Sequence, residues 1–341
     1  MAEQVRIAKT DQGKPLVGWL VWWTVPERLS VPYAELEKLA EDTGYPKTYL
    51  PRRPADKNLW RKATQLGTRG VEVEPPQAKV DEVKRQYDVA PQVRVFTRIV
   101  SEKEPTLIRH LVRQVTIPTA RRKKKQLALD SVAVLEWDRE EGTRVRKYKD
   151  TKGFLRPEDL DRILADIESR YEHLQTHADA QLVREALRRR LRALYQVILR
   201  SSGGVYFIPE GADPDGEKVA ALRAFITGLK PWVEGDGEPS CMYVRLLRVD
   251  GDTVEDVRKA AIEVYGKALE GLIDKVRPVL DDKAKGKTAA QIAKSALEEL
   301  IRLQEGIRLA EEALQEGFET LENMVIMARN AVLRAQDKIE A

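Results

Sequence analysis

The chain has 341 residues, of which 42% are hydrophobic and 33% charged, with a formal net charge of +4 and one cysteine. That apolar fraction excludes wholesale disorder, and the length suits two or three domains of roughly 100–200 residues each. A single cysteine, Cys241, excludes an intrachain disulfide framework and fits a reducing compartment.

The first fourteen residues carry no apolar core of a signal peptide. The longest apolar run, Leu16 to Val25, is about half the length a membrane-spanning helix needs. The expectation is a cytoplasmic protein with no membrane partner. Charge is uneven along the chain. Pro105 to Lys149 holds 12 Lys/Arg against 5 Asp/Glu, whereas Asp250 to Ala341 holds 14 against 19. A basic middle and an acidic end suit an anionic partner for the former; a solvated surface, or ends that attract one another, would give the same counts.

Leu16 to Val25 is rich in β-branched and aromatic residues and reads as a strand ended by Pro26. A helix follows, with Pro32 in its first turn, Leu36, Leu39 and Ala40 as its stripe and Gly44 as its stop. After a proline-rich loop, Ala55 to about Gln65 reads as a short helix with Leu59, Trp60 and Ala63 on one face. From Gln92 the period changes to two. Val93, Val95 and Thr97 alternate with Arg94, Phe96 and Arg98, and Leu111, Arg113 and Val115 alternate with His110, Val112 and Gln114. With Leu127 to Trp137 and Thr143 to Lys149, this block reads as an antiparallel meander with one wet face.

Helices are expected from Pro157 to His173 and from Ala178 to Arg200. A β-α-β unit is expected over Val205–Ile208, Gly216–Leu229 and Cys241–Val249. The remainder reads as Thr253 to Leu280 and one long helix from Thr288 to Ile339. Its seam of Leu300, Leu303, Ile307, Ala310, Leu314, Gly317, Leu321, Met324, Ala328 and Ala331 has heptad spacing. The fold expected is α+β in three segments: an α/β domain over residues 1–150, a helical and β-α-β domain over 151–250, and an antiparallel coiled-coil hairpin over 251–341.

Most chemical motifs fail on their own terms. Lys285-Gly-Lys-Thr288 ends like a phosphate-binding loop but lacks the earlier glycine, with Asp281 in its place, and the preceding strand. His173 and His177 stand four apart without the glutamate of a zinc-protease helix, and Thr176 between them reads as a helix cap, so no metal or cofactor is expected. Cys241 reads as a structural cysteine, and no catalytic constellation is legible.

The basic features carry more. Arg121, Arg122, Lys123, Lys124 and Lys125 are five consecutive cations between two strands, suited to gripping phosphates. Arg144, Arg146 and Lys147 lie on the next hairpin. Arg184, Arg188 and Arg192 form an i, i+4, i+8 column opposite the apolar stripe of their helix. Tyr148, Phe154, Trp137 and Tyr206 are the aromatics near enough in sequence to stack bases.

The order of Leu59-Trp-Arg-Lys-Ala-Thr64, Ile108-Arg-His-Leu-Val-Arg113 and Gly203-Gly-Val-Tyr-Phe-Ile-Pro209 before a helical arm resembles a family of uncharacterised proteins of bacterial and archaeal genomes, phages and plasmids. The resemblance spans most of the chain and implies a mobile-element or host-conflict setting, with no activity or site residues to carry over.

The leading expectation is non-enzymatic binding of nucleic acid, single strands included, through the residues just named. A homo-oligomer or protein partner would then dock on the C-terminal helices. The alternatives are a structural protein acting through its heptad helix, which requires an exposed seam, and an enzyme with a site assembled only in three dimensions.

Overall fold

The computed structural model describes residues 16–67, 70–102, 106–118, 124–140, 142–148, 152–200 and 204–340; the side chains of 118, 124–127 and 340 lie outside this description. The elements in chain order are β1 (Leu16–Thr24), β2 (Ser30–Pro32), α1 (Tyr33–Thr43), α2 (Asp56–Ala63), β3 (Val71–Val73), α3 (Gln77–Tyr87), β4 (Gln92–Ser101), β5 (Thr106–Pro118), β6 (Lys124–Asp138) and β7 (Gly142–Lys147). Then come α4 (Pro157–Thr176), β8 (His177–Asp179), α5 (Ala180–Ala193), β9 (Val197–Ile198), β10 (Val205–Pro209), α6 (Glu217–Gly228), β11 (Ser240–Leu247), α7 (Gly251–Leu280), α8 (Gly286–Leu314) and α9 (Glu319–Glu340). The fold is mixed α+β. No helix of the described residues is long and apolar enough to cross a membrane.

The chain forms two compact units. One is built from the segment up to Pro51 together with Asp179 onward, and the other is Arg52–Ala178. The three consecutive segments expected from sequence do not coincide with them, because β1 belongs with the C-terminal half. It lies between β10 and β11 in a sheet of order β11-β1-β10-β9 and is antiparallel to both. The expected β-α-β unit is therefore split: β10 and β11 run parallel but are separated by β1.

In this first unit, Phe207 and Leu246 on one sheet face join the apolar faces of α7, α8 and α9. On the other face Trp19 is anchored at both ends of its indole. Its Nε1 donates to the Asp213 carbonyl oxygen at 2.8 Å. A Cβ on Gly216 would lie 2.6 Å from the ring, at a residue whose φ of +74° already favours glycine. Asp213 also starts α6, its carboxylate accepting from the backbone N–H groups of Lys218 and Val219 at 3.2 and 2.9 Å. Asp213→Ala should cost about 1–2 kcal/mol by orphaning those buried donors. Urea unfolding checks this, and Asp213→Asn should recover part of the loss.

The C-terminal arm is three helices, not a two-helix coiled-coil hairpin. The seam stays in heptad phase through Leu314 and Leu321, but Gln315 takes a left-handed conformation with φ of +54° and stops α8. The Glu311 carboxylate then accepts from the Phe318 backbone N–H at 2.7 Å, and Phe318 is buried. Leu300, Leu303, Ile307, Ala310, Leu314, Leu321 and Ala328 all sit in the core shared with α7 and the sheet. The exposed seam that a self-assembling scaffold requires is thus turned inward.

The arginine-rich helix is also shorter than expected. It ends at Ala193, and Val197–Ile198 pair with Phe207 and Tyr206 as a small hairpin. Gly204 therefore lies just before β10 in a strand reversal rather than at a helix end. Gly203 is outside the described residues; Gly204 has φ of +110°.

The second unit holds the meander, as expected, extended by β3: five antiparallel strands in the order β3-β4-β5-β6-β7. Bulges interrupt the β5–β6 register between Leu111 and Val112 and between Val115 and Thr116, and such bulges bend and twist a sheet. One face is covered by α2, α3 and α4 through Trp60, Leu111, Leu135, Ile163, Val83 and Val115. Arg113 and Arg109 share that buried face. Arg113 Nη2 bonds Asp130 at 2.6 Å, and Arg109 Nη1 reaches Thr64 Oγ1 at 3.1 Å.

Candidate nucleic-acid interface

The opposite face of this sheet has none of the unit's described helices on it. Side chains directly opposite in an antiparallel pair share a face, so the register sets out what the face presents. Phe96 is opposite Val112, and Arg94 is opposite Gln114. One row runs across four strands: Arg98 on β4, His110 on β5, Val134 on β6 and Arg146 on β7. Arg98 and Arg146 are three strand steps apart, roughly 14 Å. The next row places Ile108, Glu136 and Arg144 together.

The electrostatics of this face are mixed. Arg94 is paired with Glu72, and Glu136 stands opposite Arg144. His110 Nδ1 lies 3.1 Å from Ser131 Oγ. Arg98 and Arg146 are exposed and have no carboxylate partner among the described residues. Each keeps a hydrated guanidinium available for phosphate at no cost of breaking an ion pair.

The expected residues divide sharply. Arg144 and Arg146 are on this open face. Lys147, the next residue on β7, points the other way and pairs with Asp161 of α4 at 2.5 Å, so it is withdrawn from the interface. Arg121, Arg122 and Lys123 lie outside the described residues. Lys124 and Lys125 begin β6, opposite Pro118 and Ile117, and their side chains lie outside too. Among the expected aromatics, Trp137, Phe154 and Tyr206 are buried and cannot offer a ring to a base, whereas Tyr148 is exposed.

The arginine column on α5 is in the other unit, and its first member is structural. Arg184 donates from Nε and Nη2 to the Val25 carbonyl oxygen at 3.1 and 2.7 Å. Its neighbour Arg189 donates to the Leu50 carbonyl oxygen at 3.0 Å, and Arg190 is buried over the Tyr49 ring. These side chains tie loops to the helix, while Arg188 and Arg192 are exposed. Arg184→Ala should accordingly cost about 1–3 kcal/mol of stability, and Arg188→Ala should stay within roughly 0.5 kcal/mol of the parent protein. Paired denaturation curves decide between this and a uniform surface column.

Sequence reading passed over Phe96, Arg98 and His110 as members of a site. Their alternation placed each on a strand face; the cross-strand register that aligns Arg98 with Arg146 is not encoded in either segment alone.

The other motifs resolve plainly. The rings of His173 and His177 stack at 4.1 Å, and Thr176 ends α4 rather than capping α5. The cap of α5 is Asp179, whose Oδ1 accepts from the Leu182 backbone N–H at 3.0 Å. Among the described residues no group of three or more His, Cys, Asp or Glu side chains is placed to hold a metal ion. Burial pushes the Cys241 thiol up to about 12, against the opposing charge of Arg223, which keeps it protonated rather than nucleophilic at neutral pH.

The model of a family of unknown function, DUF6744, matches residues 16–340. The chain belongs to this family. The match runs through both compact units, so the split sheet, the open-faced meander and the helical arm all fall within one family domain. No curated protein and no solved structure matches the chain.

Proposed function

We propose that this member of the family is a nucleic-acid-binding protein that takes single strands on the open face of its five-stranded sheet, acting without a catalytic step. The observation that carries the reading is the row Arg98–His110–Val134–Arg146. It sets two guanidiniums, unpaired among the described residues, across a face that also holds Phe96, Ile108 and Leu129. A sheet face of mixed basic and apolar character suits splayed bases better than a duplex: aromatic and aliphatic groups receive base planes, and guanidiniums hold the backbone. Lys124 and Lys125, the end of the basic run in the sequence, begin β6, the strand that also carries Val134. A mobile-element setting, implied by the sequence resemblance and its Gly203–Pro209 segment, and a cytoplasmic location, expected from the single cysteine, are part of this proposal.

Binding of the purified chain to labelled single-stranded RNA, single-stranded DNA and duplex DNA across a salt series tests it. The expected result is tighter binding of single strands, with affinity falling linearly on a log–log plot against salt. Equal or tighter binding of duplex would overturn the single-strand assignment, and absence of binding at low salt would overturn the whole reading.

A further inference from the structure

Three arginines are buried among the described residues, and two of them are matched by carboxylates. Arg113 pairs with Asp130 at 2.6 Å and Arg109 with Glu102 at 3.0 Å. Arg190 of α5 is 9% exposed and has neither a carboxylate nor a hydrogen-bond acceptor among the described residues. Its guanidinium lies over the Tyr49 ring, 5.2 Å from the ring centroid. The Nε is enclosed, whereas Nη1 and Nη2, equally unpaired, keep accessible surface.

The surroundings of this cation are short of negative charge. Arg189, the next residue, is anchored by its bond to the Leu50 carbonyl oxygen at 3.0 Å. The Tyr45 hydroxyl is enclosed and unpaired. Burial raises its pKa, and the charges that oppose the rise are those of Arg190 and Arg189. The last turn of α5 offers the Arg190 guanidinium a partial negative charge, and the Tyr49 face offers its quadrupole. Neither supplies the oxygen atoms that guanidinium N–H donors require. A charge held out of water without such a partner is costly. An anion arriving from solvent at Nη1 and Nη2 would remove that cost. The hydroxyl of the Tyr49 ring is a further free donor, accessible and unpaired among the described residues. These donors and the two adjacent cations exceed what one carboxylate can satisfy. A phosphate monoester brings three terminal oxygens and about two negative charges.

We propose that Arg190 and Tyr49 form a site for the phosphate monoester of a small molecule. Its oxygens accept from Nη1 and Nη2 of Arg190 and from the Tyr49 hydroxyl, and the charge of Arg189 adds to the attraction. The site belongs to the first compact unit and does not rest on the nucleic-acid reading, whose residues are in the second.

Inorganic phosphate, phenyl phosphate and acetate, titrated into the full chain at constant ionic strength, are the probes. Both phosphates should raise the melting temperature and broaden their own phosphorus NMR signals, and acetate should act more weakly. Arg190→Met keeps the length of the side chain and removes the donors, so it should weaken both phosphates by about tenfold or more. Its melting temperature in phosphate-free buffer should equal or exceed that of the parent, because the enclosed charge is gone. Tyr49→Phe removes only an unpaired hydroxyl; it should stay folded and weaken both phosphates several-fold. Arg98→Ala with Arg146→Ala should leave phosphate binding unchanged. No response of the parent to either phosphate, undiminished phosphate affinity in Arg190→Met or in Tyr49→Phe, or acetate binding as tightly as phosphate would overturn the proposal. Loss of single-strand affinity in Arg190→Met would assign the phosphate to a nucleic-acid backbone and overturn the small-molecule source.

Discussion

Phe207→Ala is expected to destabilise the unit that contains it by about 3–5 kcal/mol, the usual cost of emptying a fully buried aromatic site. Phe207 has no exposed surface and stands on β10, between β1 and β9. Its ring belongs to the core that joins the sheet to α7, α8 and α9. It also fills the space left by Gly18 on the paired strand, where a Cβ would lie 2.5 Å from the Phe207 ring and 2.3 Å from the Ile208 carbonyl oxygen. Native-state hydrogen exchange is the measurement of choice because it resolves the two units. Protection should fall in β1, β10, β11 and the three C-terminal helices, and stay at parent values in β4, β5 and β6. A uniform loss over both units, or a change below about 1 kcal/mol, would contradict the division of the chain described above.

The second large effect is on binding. Replacing Arg98 and Arg146 together with alanine should lower single-strand affinity roughly ten- to hundredfold at moderate salt. It should also flatten the slope of log affinity against log salt by about 0.7 for each phosphate no longer held. Both side chains are exposed and unpaired among the described residues, so their removal should leave the melting temperature within a degree or two. Lys147→Ala is the matched control. It removes a cation one residue away on the same strand, but from the side that faces α4, and the salt slope should not change. If Lys147→Ala weakens binding as much as the arginine pair, attraction by overall charge and not this face explains the affinity.

The local period was a sound guide to which residues form strands and helices. The alternation of Arg94, Phe96 and Arg98 with Val93, Val95 and Thr97 separated a wet face from a buried one, and the structure buries Val93 and Val95. Gly44 stops α1 in a left-handed conformation, as a glycine after a helix should. The candidate site was legible only in part. Arg144 and Arg146 were found as charges on a hairpin, yet Lys147 could not be told from them by charge, because a strand reverses its side chain at each residue. The column of Arg184, Arg188 and Arg192 had helical spacing, but spacing does not reveal a carbonyl at the far end: Arg184 reaches across 159 residues of sequence to Val25.

What the sequence determined by itself was local: apolar periods of two and three to four residues, the residues that stop them, and a single cysteine that excludes an internal disulfide. These depend on near neighbours along the chain, and near neighbours are always present. The tertiary structure alone decided where β1 inserts, how the rows of the meander align, and where the heptad-spaced segment breaks. A heptad count records apolar period but not helical continuity, so Leu314 and Leu321 stay in phase across a turn that the count cannot see. Strand order and register depend on pairings between distant segments, in which one residue of slip exchanges the two faces of a strand. Arg98 and Arg146 share a row because three such pairings, β4 with β5, β5 with β6 and β6 with β7, hold at once.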